Sequence, residues 1–213
     1  MRKIFYCDYD GILVNSKKQL ISLYNKHYKP SSDLDIDYKE AITWDCGVPI
    51  DLVEEIFKRE DFFSEELEMF EGAIDGLKTL KDKGYEIILY SKGLMPNLGY
   101  KILWCDKNIK DYLDGWILTG TNTLKMIKNQ YDMSVLQSDG FSILFDDCYT
   151  NLTCDSNHYL KHHMPTYSIC GKLSHRKDED WNIKFTDKKF TAYHWNELEG
   201  IINMIENYEN ILR

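Results

Sequence analysis

Apolar residues along this chain follow two rhythms, short unbroken runs and longer stripes at helical spacing, and the two alternate. Ile4-Phe5-Tyr6-Cys7, Tyr85 to Tyr90, Gly115-Trp116-Ile117-Leu118 and Phe141 to Phe145 are runs with the length and the β-branched and aromatic content of strands buried on both faces. Thr166 to Cys170 and Phe190 to Trp195 read as two further strands. Between the runs lie the stripes. Ser16 can cap a helix through about Tyr28, with Leu20, Leu23, Tyr24 and His27 on one side, before Pro30-Ser31-Ser32 breaks it. Ala73 to Lys83 places Ile74, Leu77 and Leu80 inward, and Gly84 is suited to stop it. Leu98 to Lys107 and Leu124 to Tyr131 complete the internal helices. Asn196 opens a terminal helix, with Glu199 in a capping-box arrangement and Leu198, Ile201, Ile202 and Ile205 as its apolar stripe. Strands alternating with helices predict an α/β fold, a doubly wound parallel sheet with helices on both faces.

One stretch departs from the alternation. Asp33 to Glu68 is acidic and broken, with a helix predicted over Ile50 to Arg59 and with Tyr38, Trp44, Phe57, Phe62 and Phe63 scattered through it. The division that follows is a core of residues 1–15 and 71–213 and a small helical cap of residues 16–70, inserted after the first strand. Aromatic residues in so small a subdomain serve first to build its own core. Gly171 to Asp187 is polar and mixed in charge, as a solvated loop would be, and no internal repeat interrupts the chain.

Composition narrows the possible functions. With 213 residues, 43% of them hydrophobic, the chain can hold one sizeable core and an insertion. A net charge of −9 argues against a polymeric nucleic acid as partner, because such binders present a basic face that releases counterions. A small phosphorylated molecule remains compatible. No apolar stretch approaches the roughly 20 residues of a membrane span. Met1-Arg2-Lys3-Ile4 passes directly into the first strand with no secretory signal, so a cytoplasmic location is expected. The six cysteines, at positions 7, 46, 105, 148, 154 and 170, form no Cys-x-x-Cys pair and are expected to be reduced. Cys148 and Cys154 lie near His158, His162 and His163, but the spacing matches no common zinc pattern.

The chemistry is concentrated where strands end. Asp8-Tyr9-Asp10-Gly11 follows the first run, Ser91-Lys92-Gly93 follows the second, and Asp146-Asp147 closes a later one. Side by side in a parallel sheet, these groups gather at one edge, where open α/β sheets bind ligands. Paired acids repel unless a cation or a division of protonation states relieves them, which suits a metal-assisted reaction at phosphorus.

On these residues the chain resembles the haloacid dehalogenase superfamily of phosphohydrolases. Asp8 to Gly11 match its Asp-x-Asp-Gly motif, Ser91 its second motif and Asp146-Asp147 its paired acid, while Lys125 and Lys128 both stand as candidates for the third-motif lysine, Lys125 being favoured. Within the superfamily it looks most like the 5′(3′)-deoxyribonucleotidases of phage and bacterial type, through Asp61-Phe62-Phe63, Phe70-Glu71-Gly72-Ala73 and Trp104. Ser91-Lys92-Gly93 stands where many members carry Thr-Ser-Pro.

The resemblance implies a Rossmann-like core and a Mg²⁺-dependent phosphohydrolase. Asp8 would be the nucleophile that forms an aspartyl-phosphate, and Asp10 would shuttle the proton. Asp8, the backbone carbonyl of Asp10 and Asp146 would hold Mg²⁺, with Asp147 ligating through water or orienting Asp146. Ser91, Lys92 and Lys125 or Lys128 would bind phosphate, and Trp44, Phe62 and Phe63 would wall the substrate pocket. The expected substrate is a nucleoside monophosphate. The alternatives are another small phosphate ester, and a non-catalytic binding protein on the same scaffold.

Overall fold

The computed structural model describes residues 2–120, 125–128, 141–152, 167–174 and 179–212. Its centre is β1 (Lys3–Asp8), buried along nearly its whole length. Alternate side chains serve the two faces of the sheet, as a strand's period of two requires. Phe5 and Cys7 enter the large core with Leu77, Leu80 and Ile143, while Ile4 and Tyr6 join Ile88, Tyr90, Ile117 and Leu144 in a second cluster.

After β1 the chain forms α1 (Ser16–His27), α2 (Ile50–Phe57), a 3-10 turn over Glu60–Phe63 and α3 (Ala73–Asp82). Next come β2 (Tyr85–Gly93), α4 (Met95–Asn108), β3 (Gly115–Gly120) and β4 (Lys125–Lys128). The remainder comprises β5 (Phe141–Asp146), α5 (Tyr149–Leu152), β6 (Tyr167–Gly171), β7 (Thr191–Ala192) and α6 (Leu198–Leu212). The strand order is β4-β3-β2-β1-β5-β6-β7, with all neighbouring pairs parallel except the antiparallel β3 and β4. Chain order reverses at β1, which has β2 on one side and β5 on the other. That reversal is the crevice where such sheets present ligand-binding groups. Registers pair Asp8 with Tyr90 and Cys7 with Phe145, so Asp8, Ser91 and Asp146 emerge at adjacent levels.

The segment between β1 and α3 leaves and rejoins the sheet at adjacent points. Asn15 N–H donates to Glu68 O (2.9 Å) and Phe70 N–H to Leu13 O (3.0 Å), a short antiparallel neck around the Val14–Met69 bridge. In this segment Phe62 packs against Phe57 with tilted rings (4.7 Å between centroids) and edge-on against Phe63 (5.1 Å).

Three expectations change. Lys125–Lys128 is a strand, where a helix over Leu124 to Tyr131 was expected; Lys-Met-Ile-Lys is short enough for either period, and pairing with Trp116 to Thr119 decides it. The sheet therefore carries one antiparallel edge strand. Near the C-terminus, the strand expected over Phe190 to Trp195 shortens to Thr191–Ala192, because Trp195 leaves the sheet to be buried. Its indole N–H donates to Ile12 O (2.8 Å), its ring meets Phe145 edge-on (5.2 Å), and a Cβ on Gly76 would lie only 2.4 Å from it. The terminal helix consequently starts at Leu198, and the carboxylate that reaches back is Glu197, accepting from Tyr193 N–H (2.7 Å), rather than Glu199. Among the described residues no helix is long and apolar enough to cross a membrane.

Trp195→Ala should cost about 3–5 kcal/mol, the range for truncating a large buried aromatic residue, measured by denaturant unfolding. A loss under about 1 kcal/mol would contradict this packing role.

Candidate active site

β1 ends at Asp8 and the backbone closes at once into a single turn, in which Leu13 and Val14 N–H both donate to Tyr9 O (3.0 and 3.1 Å). Gly11 is required there twice over. Its φ of +75° lies in the left-handed region, and a Cβ on it would sit 2.2 Å from Asp147 Oδ2. The glycine of Asp-x-Asp-Gly thus makes room for a carboxylate from a distant strand end.

Asp8, Asp146 and Asp147 each bring an oxygen into one group, all within 4.8 Å of one another. Asp8 is 8% exposed and Asp146 is fully buried. Tyr9 N–H donates to Asp8 Oδ1 (2.7 Å) and fixes the rotation of that carboxylate. Asp146 accepts from Cys148 N–H (2.7 Å) and from Asn151 Nδ2 (2.9 Å at Oδ2), and Asp147 accepts from Trp181 Nε1 (2.8 Å).

These bonds do not offset the crowding. Burial first, and the Asp146, Asp147 and Asp10 charges next, hold the Asp8 carboxyl well above the ordinary value of 3.8, with Lys101 opposing. Burial does the same to Asp147, reinforced by Asp146. Asp146 is raised to about 7, chiefly by burial, although its two donors pull the other way. A buried, all-oxygen set of carboxylates that repel one another fits a hard divalent cation such as Mg²⁺ and does not resemble the nitrogen and sulfur sets that favour zinc.

Asp10 stands beside this group. Its Oδ1 accepts from Ser16 Oγ (2.5 Å), and its Oδ2 pairs with the ammonium of Lys101. Lys101 also donates to Ser91 Oγ (2.9 Å) and to Lys92 O (3.1 Å), and it lies over the Tyr9 ring, 5.2 Å from the centroid. At 1% exposure, this ammonium spends its three hydrogens on three acceptors inside the protein.

Lys101 has no counterpart among the residues expected from sequence. The cation that reaches Asp10 and Ser91 comes from α4, whereas Lys125 or Lys128 was expected. Those two lie on the edge strand, three strand spacings or about 14 Å from β1 in backbone position. A signal for Lys101 did exist. It falls between Leu98 and Cys105 on the buried stripe of α4, where a lysine demands an internal partner. Lys92 is exposed on β2, and only its carbonyl is engaged here.

The expected aromatic wall divides. Phe62 is wholly buried and packs against Phe57 and Phe63 in the large core rather than facing an open surface. Trp44 is 55% exposed. Phe63 lines a cleft of about 390 Å³ with Tyr100, Leu103 and Trp104. Cys154, His158, His162 and His163, weighed as a zinc site, lie outside the described residues.

The strand order and its reversal at β1 define a Rossmann-like, doubly wound α/β core, a fold that several solved structures share. The chain is similar to a candidate phosphoglycolate phosphatase from Lactobacillus delbrueckii subsp. bulgaricus, with TM-score 0.63 and 15% identity over 95% of this chain and 99% of that one. It is also similar to a candidate β-phosphoglucomutase from Thermotoga maritima, with TM-score 0.57 and 13% identity over 97% and 99%. A third similar structure is CbbY from Rhodobacter sphaeroides in complex with phosphate, with TM-score 0.53 and 14% identity over 93% and 96%. No family model matches the sequence, and no curated protein matches it. The similarity is therefore one of fold.

The metal-free protein should lose stability as pH rises. Asp146 titrates at about 7 when folded and near its ordinary 3.8 when unfolded, so between those values the folded state holds a proton that the unfolded chain has released. Calorimetry should show Tm falling from about pH 5 to about pH 7.5, more steeply than in Asp146→Asn. Mg²⁺ should raise Tm more at the upper end of the window, where it displaces fewer protons. Equal slopes in the two proteins would contradict the assignment.

Proposed function

We propose that this protein is a Mg²⁺-dependent phosphohydrolase of small phosphate monoesters that works through an aspartyl-phosphate. The observation that carries the reading is the convergence of Asp8, Asp146 and Asp147 on one point, with Asp10, Ser91 and Lys101 in contact beside it. The bound Mg²⁺ would be held by Asp8, Asp146, Asp147 and the backbone carbonyl of Asp10, and would neutralise the charge of the carboxylates and of the phosphate.

The chain's own groups supply the remaining chemistry. An Asp8 oxygen attacks phosphorus, the bond from phosphorus to the ester oxygen breaks, and the leaving alkoxide takes a proton from Asp10. Asp10 then takes a proton from water, which attacks phosphorus and releases the Asp8 carboxylate. Ser16 and Lys101 hold the two oxygens of Asp10 from opposite sides, which keeps the group at the mouth of the crevice in both halves of the cycle. Because Lys101 donates to Ser91 Oγ, the serine's own hydrogen is left for a phosphoryl oxygen. Lys101 adds positive charge where negative charge develops.

The finer reading is a nucleoside monophosphate as substrate, supported by the likeness of Asp61-Phe62-Phe63 and Gly72-Ala73 to the deoxyribonucleotidases and by the exposed Trp44. A second reading, a compact sugar or carboxylic acid phosphate, is favoured by the burial of Phe62 and by the names of the structurally similar proteins. Rates with Mg²⁺ on deoxyribonucleotides, ribonucleotides and sugar phosphates separate the two; a preference for the last class would discard the nucleotidase reading.

Asp8→Asn should abolish turnover and leave the fold intact, with a higher metal-free Tm because a buried like charge is removed. Measurable turnover at saturating Mg²⁺ would overturn the nucleophile assignment. Lys101→Met should lower kcat about 10²–10³-fold, because it removes fixed positive charge beside the place where negative charge develops and frees Asp10 and Ser91. A kcat within about threefold of the parent would return the third-motif role to Lys125 or Lys128.

A further inference from the structure

Among the described residues outside the reacting set, the segment Glu179–Asn182 bonds both to the 16–70 segment and to the carboxylates. Its backbone is tied to the core, where Trp181 O accepts from Tyr149 N–H (2.9 Å), and to the insertion, where Asp180 N–H donates to Ile42 O (3.3 Å). Glu179 is 3% exposed and pairs with Lys17 of α1 at 2.6 Å. Its Oε1 also accepts from Ser174 Oγ (2.9 Å), and its own N–H donates to Asn182 Oδ1 (3.0 Å). Lys17 Nζ donates in addition to Ala41 O (2.5 Å) and lies 5.1 Å from the centroid of the Trp181 ring. The indole N–H of Trp181 reaches Asp147 Oδ2.

We propose that Trp181 is a positioning residue for the cation site: its indole fixes where Asp147 presents its carboxylate, and through Lys17 it makes that placement depend on docking of the 16–70 insertion. The proposal rests on the metal-dependent reading above. Asp147 is pushed outward by Asp8 and Asp146 and needs a restraint to stay in the group. The restraint has two walls. Gly11 leaves space on one side of Oδ2, with no room for a methyl group, and the indole holds the same oxygen from another. An indole N–H is a donor that does not titrate, so it restrains Asp147 whether or not the carboxyl is ionised. The ring in turn packs under an ammonium whose other partners belong to the insertion loop and to Glu179. Any swing of the insertion that admits substrate separates Lys17 from Glu179 and from the ring, and so loosens Asp147.

Isothermal titration calorimetry with Mg²⁺ on the full chain tests this without turnover. Trp181→Phe keeps the ring and removes the donor; Mg²⁺ affinity should fall about tenfold, the scale for losing a partner that orients a ligand. Lys17→Met with Glu179→Gln removes the buried pair together and leaves no lone charge; affinity should fall severalfold although neither residue touches the carboxylates. Combining all three changes should weaken binding no further than Trp181→Phe alone, because both act through one restraint. Wild-type affinity in Trp181→Phe overturns the positioning role, and additive losses overturn the coupling. Should Trp181→Phe fail to fold by circular dichroism, unchanged affinity in the Lys17/Glu179 variant overturns the coupling by itself. A parent protein that binds no Mg²⁺ overturns the functional reading, whereas a parent that binds it and a Trp181→Phe that binds it equally well overturn only this inference.

Discussion

Mutual repulsion of carboxylates at the buried end of two adjacent strands is the constraint around which the rest of the molecule is arranged. β1 and β5 pair in a register that brings the Asp8 and Asp146 levels together, and Asp147 follows immediately. Two like charges 4 Å apart in water cost about 1 kcal/mol and several times more where the surroundings are less polar. A fold selected for stability alone would not collect three. The sheet topology fixes the position of this cost, and a bound cation is what would offset it.

The same repulsion explains why the supporting groups are all donors. Tyr9 N–H, Cys148 N–H, Asn151 Nδ2 and Trp181 Nε1 each point at one of the three acids, and none of these donors carries a charge. They orient the carboxylates without neutralising them, which leaves the group with an unmet demand for positive charge. Lys101 answers a different demand. It lies against Asp10 and Ser91, one step outside the cluster, where it pairs with the fourth acid and donates to a buried hydroxyl. Neutral donors around the three acids and one ammonium beside the fourth thus leave the demand for positive charge unmet at the first three and met at Asp10.

What sequence could reveal was set by how local the responsible interaction is. β1, β2 and β5 were legible because each buries a continuous apolar run and ends in acids or a hydroxyl, and both features lie within a few residues. The glycine at position 11 was legible as part of a motif, but its steric reason was not, since the atom it avoids belongs to Asp147. Lys101 was hidden in the same way. A helix lysine is usually solvated, and only the stripe through Leu98 and Cys105 marks this one as internal. β4 and the shortened β7 were misread where segments are short and partners distant, the first decided by pairing with β3 and the second by the pull of Trp195 toward Ile12 and Gly76.

The position of Trp195 shows how far that pull extends. Its indole bonds to Ile12 O, in the turn that directly follows Asp8 and Asp10, and its ring packs on Phe145, the residue before Asp146. One side chain from the last quarter of the chain therefore braces both strand ends that carry the acids. Trp181 does the same on the solvent side by holding Asp147 itself. Carboxylates that repel can stay together only if the backbone beneath them cannot spread, and large rigid side chains with a single donor supply that resistance at no cost in added charge. The polar end of the crevice is thus a product of aromatic packing as much as of the acids displayed there.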